Sequence, residues 1–246
     1  MGRKAVENRS EKAALEWLLG GATLSREEII AGLQARDPQA TPTTLNWRLH
    51  ELCRNGTLFR IGRGKYATAT RGIYYPQELP EFIAKVSAIM KAQFPYLKHS
   101  LFHTSELTQW MQHVPSRHFT VLEVEREVME SAFLSLQDAG IEAFLRPDST
   151  MMTRYVSRAE APVLIQPLIS EAPLLEVDGI HWPTLEKIVV DLIAEKAIYT
   201  AWQGAEQSHI LSNIGERFQV NRDRLARYAF RRNRKGMLPE LLTFFQ

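Results

Sequence analysis

Glu123 and Glu125 stand two residues apart in the run HFTVLEVERE (118–127). On a β-strand that spacing puts two side chains on one face, and paired carboxylates there can hold the Mg²⁺ of a nucleotidyl transfer. Enzymes of that kind usually carry Asp at both positions and a Gly-Ser loop before them, whereas this chain has Glu and contains no Gly-Ser dipeptide. Two readings stand: a metal-dependent catalytic pair, or carboxylates that are exposed or salt-bridged, with the second preferred. His99 and His103 have the spacing of a helical metal pair, but their segment reads as a strand, and His113 and His118 flank a loop. Neither pair has a third ligand beside it. No G-x-S-x-G, Walker or Rossmann pattern occurs. The expectation is no catalytic residue, no metal site, no cofactor and no enzyme activity.

A second set of side chains points to recognition instead. Thr43, Trp47, His50 and Arg54, with Thr44 and Asn46 at their shoulders, line one side of a predicted helix whose other side carries Leu45, Leu49, Leu52 and Cys53. Such hydrogen-bonding groups on a helix match the donor and acceptor pattern of base edges in a DNA major groove. At the end of this helix and just beyond lie the cations Arg54, Arg60, Arg63, Lys65 and Arg71, the last four around Gly62 and Gly64. These are suited to phosphates, which position a protein on DNA, while base contacts specify the site. Trp47 has an alternative use, packing against a second domain.

The elements that must position these groups follow from local signals. Ser10 caps a helix to Leu19, stopped by Gly20-Gly21. Ser25 and Glu28 form a capping box for a second helix that Asp37-Pro38 breaks. Thr41-Pro42 starts the third, which runs to Asn55-Gly56. Strands Thr57 to Ile61 and Lys65 to Ala69 enclose a tight turn at Gly62-Arg63-Gly64. Three helices and a basic hairpin make a winged helix-turn-helix, whose third helix enters the major groove. The competing reading is a winged helix that docks protein.

Residues 70–80, TRGIYYPQELP, read as a linker, which gives domains over 1–75 and 76–246. In the second, helices are predicted over Glu81–Phe94, Glu106–His113 and Arg126–Ala139, with Gly140 as a left-handed cap. Strands are predicted at Ser100–His103, His118–Val124, Ile141–Leu145, Met151–Val156 and Leu164–Pro167, and only helices after 183. The fold class is therefore α+β, a winged helix followed by an α/β domain with a helical C-terminal part. In the helix from Pro183, Lys187 and Asp191 are one turn apart and can pair; Glu186 and Asp191 read as structural support in preference to a functional pocket. The last long helix, from Asn221 to before Gly236, turns Leu225, Tyr228 and Ala229 inward and spreads Arg222, Arg227, Arg231, Arg234 and Lys235 elsewhere, a second phosphate contact.

Charge patterning agrees. The formal net charge is only +2, yet residues 1–75 carry +5, residues 76–216 carry −9 and residues 217–235 carry +7. Two basic regions around an acidic middle suit a polyanion that meets both ends of the chain, and solvated helix faces are the alternative. No stretch has the roughly 18 apolar residues of a membrane span, and the polar start MGRKAVENRSEK lacks an apolar signal core, so a cytoplasmic protein without a membrane partner is expected. A single cysteine, Cys53, excludes an intramolecular disulfide and a thiolate zinc cage.

The hairpin IGRGKYA (61–67), HFTVLEVERE (118–127), PLISEAPL (167–174), PTLEKIVVDL (183–192) and RLARYAFRR (224–232) together resemble the AbiEi-type antitoxins over most of the chain. The resemblance implies a two-domain regulator encoded beside a nucleotidyltransferase toxin in a type IV toxin–antitoxin, phage-defence operon. It implies a winged helix that represses its own promoter at inverted repeats of double-stranded DNA. It also implies a C-terminal domain that adds basic DNA contacts, counteracts the toxin without a required direct complex, and has a degenerate nucleotidyltransferase fold. A stand-alone regulator of another defence system is the alternative.

Overall fold

Ser25 opens a helix through a reciprocal pair of bonds: Glu28 N donates to Ser25 Oγ (3.1 Å) and Ser25 N to Glu28 Oε2 (2.7 Å). This is the capping box that the sequence predicts. The computed structural model describes residues 23–54, 58–68, 72–76 and 80–245; the helix expected over Ser10–Leu19 and the cation Arg71 lie outside them. The chain divides into two compact units, Met1–Ile73 with Arg217–Asp223, and Tyr74–Glu216 with Arg224–Gln246.

In the first unit β1 (Thr23–Ser25) leads into α1 (Arg26–Arg36) and α2 (Pro42–Arg54), followed by β2 (Leu58–Gly62) and β3 (Lys65–Thr68). The strands form an antiparallel sheet in the order β1-β3-β2. Ile29 and Leu33 of α1, Leu45, Leu49 and Leu52 of α2, Leu58 and Tyr66 share one core, with Cys53 at its edge. Gly64, at φ +67°, supplies the left-handed residue of the β2–β3 turn, and its carbonyl accepts from Arg26 N at 2.8 Å. A distant segment joins this unit. Gly72 N donates to Arg217 O (2.8 Å), Gln219 N to Gly72 O (3.0 Å) and Asn221 Nδ2 to Arg60 O (2.9 Å).

The second unit runs α3 (Glu81–Gln93), β4 (Ser100–His103), β5 (Thr120–Val124), α4 (Met129–Asp138), β6 (Ala143–Leu145), α5 (Ser149–Arg154), β7 (Val163–Pro167), β8 (Leu174–Val177), β9 (Ile180–Pro183), α6 (Leu185–Ala194), α7 (Ala205–Arg217), α8 (Arg222–Arg231) and α9 (Leu238–Leu241), except that the last residue of α7 and the first two of α8 count with the first unit. The four-stranded sheet has the order β4-β5-β7-β6; β5 pairs antiparallel with β4 and parallel with β7, and β6 joins β7 in parallel. Every residue of β5 is buried, as expected of an inner strand covered on both faces. Met129, Ala132 and Leu136 bury one face of α4, which packs on β6 and β7, while α6 is buried on almost every side. The architecture is thus mixed α+β with small sheets. Among the described residues no helix is long and apolar enough to cross a membrane.

Three local expectations change. Met151–Val156 is not a strand: Asp148 Oδ1 accepts from Met151 N at 2.8 Å and caps α5. The Thr153 and Ser157 hydroxyls then bond back to the carbonyls of Ser149 and Thr153, so side-chain capping overrides the β-branched composition. The helix expected over Glu106–His113 is a 3₁₀ turn at Thr104–Trp110, and the last long helix stops at Arg231. The β8–β9 hairpin was not foreseen, although Asp178-Gly179, at φ +51° and +73°, is a strong two-residue turn signal.

Gly215 on α7 is a point of close packing, because a Cβ there would run into the Phe244 backbone carbonyl. Gly215→Ala should lower unfolding stability by about 1–3 kcal/mol, the usual cost of overpacking. Chemical denaturation reads this; an unchanged midpoint would mean that the C-terminal segment is not held against α7.

Candidate functional site

Pro42 starts α2, and Thr41 Oγ1 accepts from Thr44 N (3.3 Å) and lies 3.0 Å from Thr44 Oγ1. With Leu45, Leu49 and Leu52 held in the core, helical periodicity turns Thr43, Asn46, Trp47 and His50 outward. Trp47 is 62% exposed, unusually open for an indole. Thr44 is half-buried, and Asn46 Oδ1 accepts from the Arg26 guanidinium, so two of the five expected base-reading groups already have local partners. Arg48 Nη2 donates to Asp37 Oδ2 at 2.7 Å and ties α2 to the end of α1. Arg54 is the last residue of α2. Arg60 on β2, Arg63 at the turn and Lys65 on β3 are exposed.

The basic helix sorts its cations by periodicity. Leu225, Tyr228 and Ala229 are buried. Arg232, one turn on, joins that inner side: its Nε lies 3.0 Å from Asp191 Oδ1 and its Nη2 2.6 Å from Glu195 Oε1. Arg224, Arg227 and Arg231 share the neighbouring side and line an open cavity with Glu171, Pro173 and Tyr228. Arg231 is ion-paired with Glu171, and Arg224 Nη1 is 3.6 Å from Glu186 Oε2. Arg234 Nη2 donates to the carbonyl of Ala194 (3.1 Å), where a cation suits the C-terminal end of α6. Arg222 and Lys235 are exposed. The sequence reading did not single out Arg224, whose 224/227/231 spacing is a one-face signal, or Glu171, which no local pattern marks.

Glu123 and Glu125 do not share an environment. Glu123 is buried in β5, whereas Glu125 lies past the strand end and is exposed. Lys187 Nζ sits 2.7 Å from both Glu123 oxygens and also pairs with Asp191, whose other oxygen accepts from Tyr228 Oη at 2.9 Å. Burial alone would push the Lys187 ammonium down, but Asp191 and Glu123 outweigh it and hold the group well above its ordinary value. Burial pushes Glu123 up, against the pull of Lys187. Lys187, only 2% exposed, is therefore a resident cation between two carboxylates. The structure also regroups the histidines: His103 and His118 lie with ring centres 6.0 Å apart, His103 Nδ1 is 2.6 Å from Ser105 Oγ, and His113 contacts Glu206. Among the described residues no three His, Cys, Asp or Glu side chains gather as a metal site.

A family of unknown function, DUF6577, matches residues 44–245. The chain belongs to this family. No curated protein matches it. In this DUF6577 member, the matched span runs from the first turn of α2 to Phe245 and takes in the hairpin, the Glu123–Lys187–Asp191 group and the α8 arginines.

Lys187→Met should lose about 3–5 kcal/mol of stability, because it leaves two buried carboxylates without their cation, while adding Glu123→Gln and Asp191→Asn should recover part of the loss. Denaturant titration of the single and triple variants checks this; additive losses would contradict a coupled group.

Burial lowers His103 from 6.5 to about 4, with His118 beside it adding to the shift, and His99 and His118 are also pushed down by burial. The folded state prefers neutral His103, so its contribution is complete above pH 6.5 and is lost as pH falls from 6.5 toward 4, by at most about 3 kcal/mol. Melting curves across that range should fall with acid and flatten in His103→Gln. A flat wild-type profile would contradict the burial.

Proposed function

We propose that the first unit is a winged helix-turn-helix that binds duplex DNA, with α2 in the major groove and the β2–β3 hairpin as the wing on the phosphate backbone. The observation that carries this reading is the exposed face of Thr43, Asn46, Trp47 and His50, in the same unit as an exposed Arg60, Arg63 and Lys65 on a paired hairpin. Thr44 and Arg54 belong to the same helix and Arg71 to the same basic run. A base edge that displaces Arg26 from Asn46 would give Asn46 a specific partner and free the guanidinium for a phosphate.

The second unit, in this proposal, is non-catalytic. Lys187 neutralises Glu123 from within, which supports a structural use of a nucleotidyltransferase-like fold over metal catalysis at Glu123 and Glu125. Arg222, Arg227, Arg231, Arg234 and Lys235 extend the phosphate contacts, with Arg234 also serving the end of α6. The biological role we infer is a cytoplasmic repressor of its own operon, acting as the antitoxin to a nucleotidyltransferase toxin in a phage-defence system.

With about six phosphates neutralised, log affinity for duplex DNA should fall against log salt with a slope near −5. Arg63→Ala should weaken binding to all sequences, whereas Thr43→Ala or Asn46→Ala should cost about 1–3 kcal/mol of discrimination between sites. Anisotropy titrations over a salt series measure both. A salt-insensitive interaction, or variants that bind as the wild type does, would overturn the proposal.

A further inference from the structure

The cavity on α8 is walled by three guanidinium groups on one helix face, Arg224, Arg227 and Arg231, by Tyr228 and Pro173, and by the Glu171 carboxylate. Its volume of about 280 Å³ lies just below the roughly 300–1,000 Å³ of organic ligand pockets. Guanidinium groups only donate hydrogen bonds, so their complement is a compact anion with several acceptor oxygens. A phosphoryl group meets that description, and arginine forks match it bidentately.

Glu171 supplies such oxygens from within the chain. The turn from Ile169 to Ala172 closes with Ala172 N donating to Ile169 O at 3.1 Å and holds Glu171 at φ +59°, a left-handed conformation that glycine or asparagine adopts more cheaply. Its carboxylate pairs with Arg231. Arg227 makes no ion pair among the described residues, and Arg231 and Glu171 are 45% and 64% exposed, so both halves of the latch are open to an incoming anion. An exposed pair of this kind is weak, shifting an equilibrium by about two- to fivefold, so an anion that bridges Arg227 and Arg231 can displace it.

We propose that the α8 cavity is a phosphate-binding pocket and that Glu171 is an internal anion that occupies Arg231 until a phosphoryl group displaces it. The phosphoryl group comes either from the DNA backbone, in which case the pocket rests on the DNA-binding reading above, or from a free nucleotide or polyphosphate, in which case it does not.

The test titrates the full-length protein with inorganic pyrophosphate by calorimetry and, separately, with a labelled DNA duplex. Glu171→Gln should tighten at least one of the two by about two- to fivefold, the equivalent of removing one exposed ion pair. Glu171→Gly, which suits the left-handed backbone, should give the same gain, and matching melting curves exclude a folding effect. Arg227→Ala with Arg231→Ala should abolish pyrophosphate binding or lower the duplex salt slope by about two. A gain with pyrophosphate that persists in Arg63→Ala identifies a free phosphate ligand even if the duplex is not bound at all. A gain confined to the duplex identifies the backbone as the source. If neither anion is bound more tightly by either Glu171 variant, or if the double arginine variant binds both as before, the proposal is overturned.

Discussion

A buried ammonium organises the second unit. Lys187 projects from α6 into a space between Glu123 on the central strand and Asp191 one turn further along its own helix. An ion taken out of water costs several kcal/mol unless its partners are close and well aligned. Every neighbour must therefore stay in register: β5 to present Glu123, α6 to present both Lys187 and Asp191, and α8 to bring Tyr228 and Arg232 to the remaining oxygen of Asp191. A shift of either helix strands a buried charge.

That constraint reaches the surface through α8. With Tyr228 anchored inward from this ten-residue helix and Arg232 anchored just past its end, Arg224, Arg227 and Arg231 are presented on a neighbouring side, beside the turn that carries Glu171. Periodicity thus divides one basic run into an anchoring cation and three presented ones. In the first unit the same logic applies without charge: the leucines of α2 bury one face and leave a polar one, including Trp47, in solvent.

Local patterns in the sequence were enough for the capping box at Ser25, the Pro42 helix, the hairpin around Arg63 and the Lys187–Asp191 pair, because each is decided within a few residues. Contacts between distant segments were not legible. Nothing local says that Lys187 meets Glu123, that Arg232 turns inward while Arg231 pairs with Glu171, or that residues 217–223 bond with Gly72 and Arg60. The carboxylate pair at 123 and 125 shows the limit most plainly: period-two spacing places side chains on one face only while the strand continues, and β5 ends at Val124. The α5 segment and the β8–β9 hairpin did carry local signals, in Asp148 and in Asp178-Gly179, that hydrophobic periodicity concealed.

The two units present chemistry of different kinds, hydrogen-bonding groups with an aromatic on α2 and a row of guanidinium groups on α8, and recognition of a nucleic acid uses both. A nuclease-protection footprint of the wild-type protein on the DNA upstream of its own gene tests that account most directly. Protection of two inverted half-sites, at protein concentrations that leave unrelated duplex uncovered, is the expected result; uniform cleavage across the region, at concentrations up to those that coat any DNA, would contradict it.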